Sequence, residues 1–148
     1  MRKALFIDRD GTINHDKGYT YRIEDLIIYE DIVPFIKRYN DANYLVVVIA
    51  NQSGIGRGYY KKEDADAFNK ELAKRLEEQG AHIDAFYYCP HRPEENCSCR
   101  KPKTGLVEKA AKELSIDVKG SLVAGDKSDV DGELAKRLGI EFIKIEHE

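Results

Sequence analysis

Asp8 and Asp10 stand two residues apart, directly after the apolar run Ala4-Leu5-Phe6-Ile7. On an extended chain leaving a strand, residues i and i+2 point the same way. Two carboxylates that close are stable as anions only if a cation joins them or one takes a proton. Asp126, after a second apolar run, offers a third acidic side chain. Hard carboxylate ligands, few in number, suit Mg²⁺, which keeps several waters and binds substrate phosphate. A second constellation is softer. Cys89, His91, Cys97 and Cys99 fall within eleven residues. Three thiolates and an imidazole match a closed tetrahedral zinc site, and four protein ligands leave no open position, so the zinc is expected to be structural. The intervening Pro93-Glu94-Glu95-Asn96 is polar and turn-like. An odd, tightly clustered cysteine set argues for metal rather than disulfides. No Gly-x-Ser-x-Gly elbow and no Gly-x-x-x-x-Gly-Lys-Ser/Thr loop is present, so neither serine hydrolysis nor nucleotide-driven phosphoryl donation is indicated.

These residues need a frame that gathers them. Ala4 to Ile7, Tyr44 to Ile49, Ile83 to Tyr88, Ser121 to Ala124 and Ile140 to Ile145 read as five strands; the second is an unbroken β-branched run, as in a strand buried on both faces. Between them lie helical patterns. Ala65, Phe68, Leu72 and Leu76 share one face of a helix from Lys61 to Gln79, stopped by Gly80. Leu106, Val107, Ala110, Ala111 and Leu114 mark another, with Thr104 as its N-cap. Leu134 and Leu138 mark a third, closed by Gly139, and Ile32 to Tyr39 a fourth. Alternating strands and helices predict an α/β fold, a doubly wound, mainly parallel sheet with helices on both faces. Asn14 to Glu30 shows no period and is expected to form a flap after the first strand. Ligands bind at the carboxyl ends of strands in such sheets. A single Asp there is commonly a turn former. Here four strand ends carry polar groups: Asp8 to Thr12, Asn51-Gln52-Ser53-Gly54, Cys89-Pro90-His91 and Gly125-Asp126-Lys127.

With 148 residues the chain is the size of one domain, expected over residues 1–148. Its 24 Lys and Arg nearly balance 27 Asp and Glu, a net charge of −3. That gives no overall pull toward nucleic acid or an anionic membrane. No apolar run is long enough to span a bilayer, and no signal peptide precedes the first strand. The expected location is cytoplasmic.

Asp8-Arg9-Asp10-Gly11-Thr12, Asn51, Lys101 and Gly125-Asp126 through Asp131 occur in an order that resembles the four signatures of the haloacid-dehalogenase (HAD) phosphatases. Within that superfamily, Gly18-Tyr19, Asn51 through Gly58, Tyr88-Cys89-Pro90-His91 and Cys97 through Pro102 resemble the heptose-1,7-bisphosphate 7-phosphatase family. Histidinol-phosphate phosphatases share the cysteine cluster, and the short spacer from Arg92 to Asn96 looks more like theirs. Polynucleotide 3′-phosphatases have a similar Asn-Gln segment without the cluster.

The resemblance implies a HAD-like Rossmannoid sheet with no large cap domain and a small zinc-binding loop. It implies Asp8 as nucleophile and Asp10 as acid and base. Mg²⁺ would be held by Asp8, the Asp10 backbone carbonyl and Asp126, with Lys101 and Asn51 on the phosphoryl oxygens. It further implies substrate contacts from Gly18, Tyr19, Gln52, Ser53, Arg57, Arg100 and Lys127. Ala50 departs from the pattern, which places Thr or Ser before the asparagine. The expected partner is a small phosphorylated metabolite rather than a nucleic acid or a membrane; oligomeric state is not legible. Two alternatives stay open: a histidinol-phosphate or other polyol-phosphate phosphatase, and an inactive, zinc-stapled binding module.

Overall fold

In a computed structural model, residues 1–147 are described. β1 (Ala4–Ile7), β2 (Leu45–Asn51), β3 (Ala85–Cys89), β4 (Leu122–Gly125) and β5 (Glu141–Lys144) form one sheet in the order β3-β2-β1-β4-β5. All four pairings are parallel. The doubly wound α/β sheet expected from the sequence is therefore present. β1 lies in the middle, so the two acidic termini of β1 and β4 are neighbours, and Asp8 N donates to the Ala124 carbonyl at 3.0 Å. The topological switch point falls here, where open α/β sheets bind ligands.

The two faces of the sheet are covered by different helices. Leu5, Ile7, Val46, Val48 and Ala50 point to the side of α1 (Ile32–Asp41) and α2 (Lys62–Glu78), where Ile36, Phe68, Leu72 and Leu76 are fully buried. The alternate residues Ala4, Phe6, Val47 and Ile49 meet α3 (Gly105–Leu114) and α4 (Glu133–Leu138) through Leu106, Val107, Ala110 and Leu134. Burial on both faces is why β2 carries the run Leu-Val-Val-Val-Ile without alternation. α4 closes on Gly139 at φ +70°, the left-handed turn that favours glycine.

β1 has the expected bounds, and the ends of the other four strands differ from the sequence expectation by one or two residues. β2 runs on to Asn51 because Asn51 still pairs with Cys89 of β3. Thr104 sits at the start of α3 but does not cap it with its side chain; its hydroxyl lies 3.2 Å from Glu108 instead. The segment from Asn14 to Glu30 is irregular, with a 3-10 turn at Ile23–Asp25. It is tied back by bonds from His15 N to the Ile27 carbonyl and Tyr29 N to the Ile13 carbonyl. No helix among the described residues is long and apolar enough to cross a membrane.

Candidate active site and cysteine-histidine cluster

The carboxyl ends of β1, β2 and β4 open onto a cavity of about 410 Å³. Lys101 sits on its floor. Its side chain is 3% exposed, and its ammonium lies 2.8 Å from Asp8 Oδ1 and 2.8 Å from Asp131 Oδ1. Thr12 Oγ1 joins this group to Asp126, 3.0 Å from Asp126 Oδ1 and 3.3 Å from Asp8 Oδ2. The turn that permits this is tight. Gly11 has φ +85°, and a Cβ there would come within 2.5 Å of Asp126 Oδ2.

Two carboxylates thus pair with the Lys101 ammonium, and Asp126 joins them through Thr12. Burial disfavours the Lys101 charge, but Asp8 and Asp131 outweigh it and raise its pKa. Burial likewise works against ionised Asp8, yet the Lys101 ammonium, with Asp126 and Lys127, leaves its pKa below the ordinary value. For the other two, burial wins. Asp131 is pushed up to about 6 by desolvation, against the pull of Lys101. Asp126 is raised by burial and then by Asp8. A group of carboxylates that resist full ionisation beside one another is a site that a divalent cation would relieve. Oxygen atoms of Asp8, Asp126 and Asp131 all lie within 4.8 Å of one another, so this donor set fits a hard cation.

The side-chain pairing expected for Asp8 and Asp10 does not occur. Asp10 turns to Arg9, which grips it with Nε at 2.8 Å and Nη2 at 3.0 Å. Asn14 Nδ2, at 3.0 Å, also donates to it. The place beside Asp8 goes to Asp131, near the end of the turn before α4, where its Oδ2 accepts from the Lys127 amide at 3.4 Å. Asn51 also differs from expectation. Its Oδ1 accepts from Lys101 N at 2.9 Å and its Nδ2 donates to the Lys101 carbonyl at 3.2 Å. It clasps the lysine backbone, leaving one Nδ2 hydrogen for other use. The remaining expected residues do reach the cavity: Gln52, Ser53 and Arg57 after β2, Gly18 and Tyr19 from the flap, and Arg100 and Lys127 opposite. Arg57 stacks on Tyr19, with Cζ 5.7 Å from the ring centre.

The four soft residues also come together. Cys89 Sγ lies 3.4 Å from Cys97 Sγ and 3.0 Å from Cys99 Sγ, while His91 Nδ1 is 3.4 Å from Cys89 Sγ and 3.2 Å from Cys99 Sγ. Four converging donors of this type fit zinc. Arg100 and Lys101 follow at once in sequence, and Lys103 fastens the loop by donating to the Cys97 carbonyl at 2.5 Å.

Arg9, Thr12, Asn69 and Asp131 were not singled out as site residues by sequence reasoning. Asp131 had a signal, the second acid of the Gly-Asp-x-x-x-x-Asp pattern. Arg9 and Thr12 lie within the Asp8 to Thr12 run, which names them without showing what they bind; Asn69 carries no signal, because its partner Arg9 is sixty residues away.

A phosphatase of the HAD type is what this sheet and this rim define. Residues 3–147 match the family model described as polynucleotide kinase 3 phosphatase, and the chain belongs to that family. It hydrolyses phosphate monoesters. A Thermoplasma acidophilum protein named "Probable D-glycero-D-manno-heptose-1,7-bisphosphate 7-phosphatase" is 48% identical over 98% of this chain and 91% of its own. The D-glycero-alpha-D-manno-heptose-1,7-bisphosphate 7-phosphatase of Campylobacter jejuni is 44% identical, over 93% of this chain and 79% of its own. Among solved structures, the D,D-heptose 1,7-bisphosphate phosphatase of B. bronchiseptica, complexed with magnesium and phosphate, superposes with a TM-score of 0.85 at 29% identity. It covers 96% of this chain and 79% of its own.

Proposed function

We propose that the protein removes the 7-phosphate of a heptose 1,7-bisphosphate through a phosphoryl group carried on Asp8. The observation that carries this reading is Lys101, bridging Asp8 and Asp131 beside Asp126 on the cavity floor. Asp8 Oδ attacks phosphorus; the bond to the sugar oxygen breaks, and Asp10, which takes up a proton as the anionic phosphate binds, gives that proton to the leaving oxygen. Water then attacks the phosphoryl group, Asp10 takes the water's proton, and inorganic phosphate leaves with Asp8 regenerated. Splitting one displacement into two is the gain from covalent catalysis, and a positioned acid and base typically contributes about 10²–10⁴-fold. The carboxylates of Asp8 and Asp126 and the Asp10 carbonyl would hold Mg²⁺, with Asp131 close by. Bound there, the ion supplies neutralisation of charge as one anion approaches another. Lys101 holds an equatorial phosphoryl oxygen as charge develops, and Asn51 keeps the lysine in register. The cysteine-histidine cluster would hold zinc and stiffen the segment that presents Lys101.

The substrate assignment is supported by the names of the relatives, which include both alpha and beta anomers. The test is a comparison of kcat/KM for both heptose 1,7-bisphosphate anomers, histidinol phosphate and a 3′-phosphorylated oligonucleotide, with and without Mg²⁺. A heptose bisphosphate should exceed the others by at least about tenfold, with no turnover after chelation. Higher values for histidinol phosphate or the oligonucleotide would move the substrate class. No turnover on any would leave a binding module.

A further inference from the structure

Arg9 is the largest fully buried side chain in the protein. It lies between Asp8 and Asp10 in the sequence and is only 1% exposed. A buried guanidinium persists only with an anion and with its donors satisfied. Its ion-pair partner is Asp10, bound through the fork so that each carboxylate oxygen takes one nitrogen. The outer nitrogens are held from elsewhere. Nη1 donates to Asn69 Oδ1 at 2.9 Å, sixty residues away on α2. Nη2 also donates to the Thr20 carbonyl of the flap at 2.8 Å and to Gln52 Oε1 at 3.2 Å. The Phe68 ring lies beneath the guanidinium, 4.4 Å from Cζ. Asn69 is itself 6% exposed, a polar side chain on the helix face whose other members are Ala65, Phe68, Leu72 and Leu76. An amide at that depth is understandable if the arginine needs its oxygen.

We propose that Arg9 and Asn69 are positioning residues that aim the Asp10 carboxylate at the leaving-group oxygen. This rests on Asp10 acting as the acid of the reaction above. Asp10 keeps 18% of its side chain exposed toward the cavity while Arg9 grips it from the protein side. α2 therefore sets the depth of the guanidinium, and the guanidinium sets the carboxylate. A displacement of about 1 Å in such a group can cost on the order of 10²-fold in rate.

The test compares two leaving groups. A sugar alkoxide needs a proton as it departs; p-nitrophenolate leaves as a stabilised anion and does not. In Asn69→Ala, kcat/KM on the heptose bisphosphate should fall by about tenfold or more and on p-nitrophenyl phosphate by less than about threefold. Asn69→Asp, which keeps an acceptor for Nη1, should restore the ratio. Unfolded protein in a preparation lowers both rates alike and cancels. An equal fall on both esters, or no fall on either, overturns the proposal. Asp8→Asn is assayed alongside: its retention of activity would refute covalent catalysis, whereas the ester ratio reports on Asp10 alone.

Discussion

Lys101 shows how one side chain can serve both folding and chemistry. It is buried, and it is the cation between Asp8 and Asp131. Removing it leaves two carboxylates stranded, and breaking a buried pair from one side costs about 3–5 kcal/mol. Lys101→Met should lower the thermal midpoint clearly and reduce kcat by about 10²–10³-fold. A midpoint within a degree or so of wild type, or a kcat within about threefold, would show that the ammonium is not the keystone described. Ala50 makes the opposite kind of prediction. It is 3% exposed and reaches the cavity wall beside Asn51. A hydroxyl here would add a hydrogen bond to a charged phosphoryl oxygen, an interaction of about 1.5–3 kcal/mol. Ala50→Thr should raise kcat by about tenfold; an unchanged kcat would mean that the hydroxyl is dispensable in this protein. At this scale the sequence was informative where chemistry leaves a motif, as at Asp8, Asp126 and Lys101. It places Arg9 in the Asp8 to Thr12 run but gives no sign of its burial, which depends on Asn69 and Phe68 from α2. No spacing rule links residues so far apart in the chain.

The elements were easier to read than their contacts. Short apolar runs and helical periodicity mark the five strands and four helices, since those patterns arise from burial of whole faces. The ends were less clear, because Asn51 stays in β2 only through its pairing with β3. The loop between β3 and α3 is the element with the most specific consequence. It runs from Pro90 to Thr104, is largely polar and has no core of its own; His91, Cys97 and Cys99, converging on Cys89 at the end of β3, and Lys103 are what gather it. Stripping metal from this loop should therefore lower activity by more than about tenfold by loosening Lys101, while far-ultraviolet circular dichroism stays close to native. Full activity in protein shown by elemental analysis to be metal-free would contradict that link.

Across the whole molecule, the strand order brings the ends of β1 and β4 side by side, with β2 on the other flank of β1. That placement makes one rim from Asp8, Asn51 and Asp126, residues that the sequence spreads over most of its length. The parallel doubly wound class was legible from the alternation of elements; the position of each strand in the sheet was not. The flap and the cysteine loop leave the cavity open to a small phosphorylated ligand, with Tyr19 and Arg57 at its mouth. The proposed reaction turns on a phosphoryl group carried by Asp8. In that reaction Asp10→Asn should slow the water step, because the step would lose its base, while p-nitrophenyl phosphate should still load the enzyme. Acid quench of this variant during turnover, followed by peptide mass spectrometry, should find one phosphoryl group on Asp8. Turnover with no phosphoryl group on Asp8, or wild-type activity in Asp8→Asn, would contradict the account.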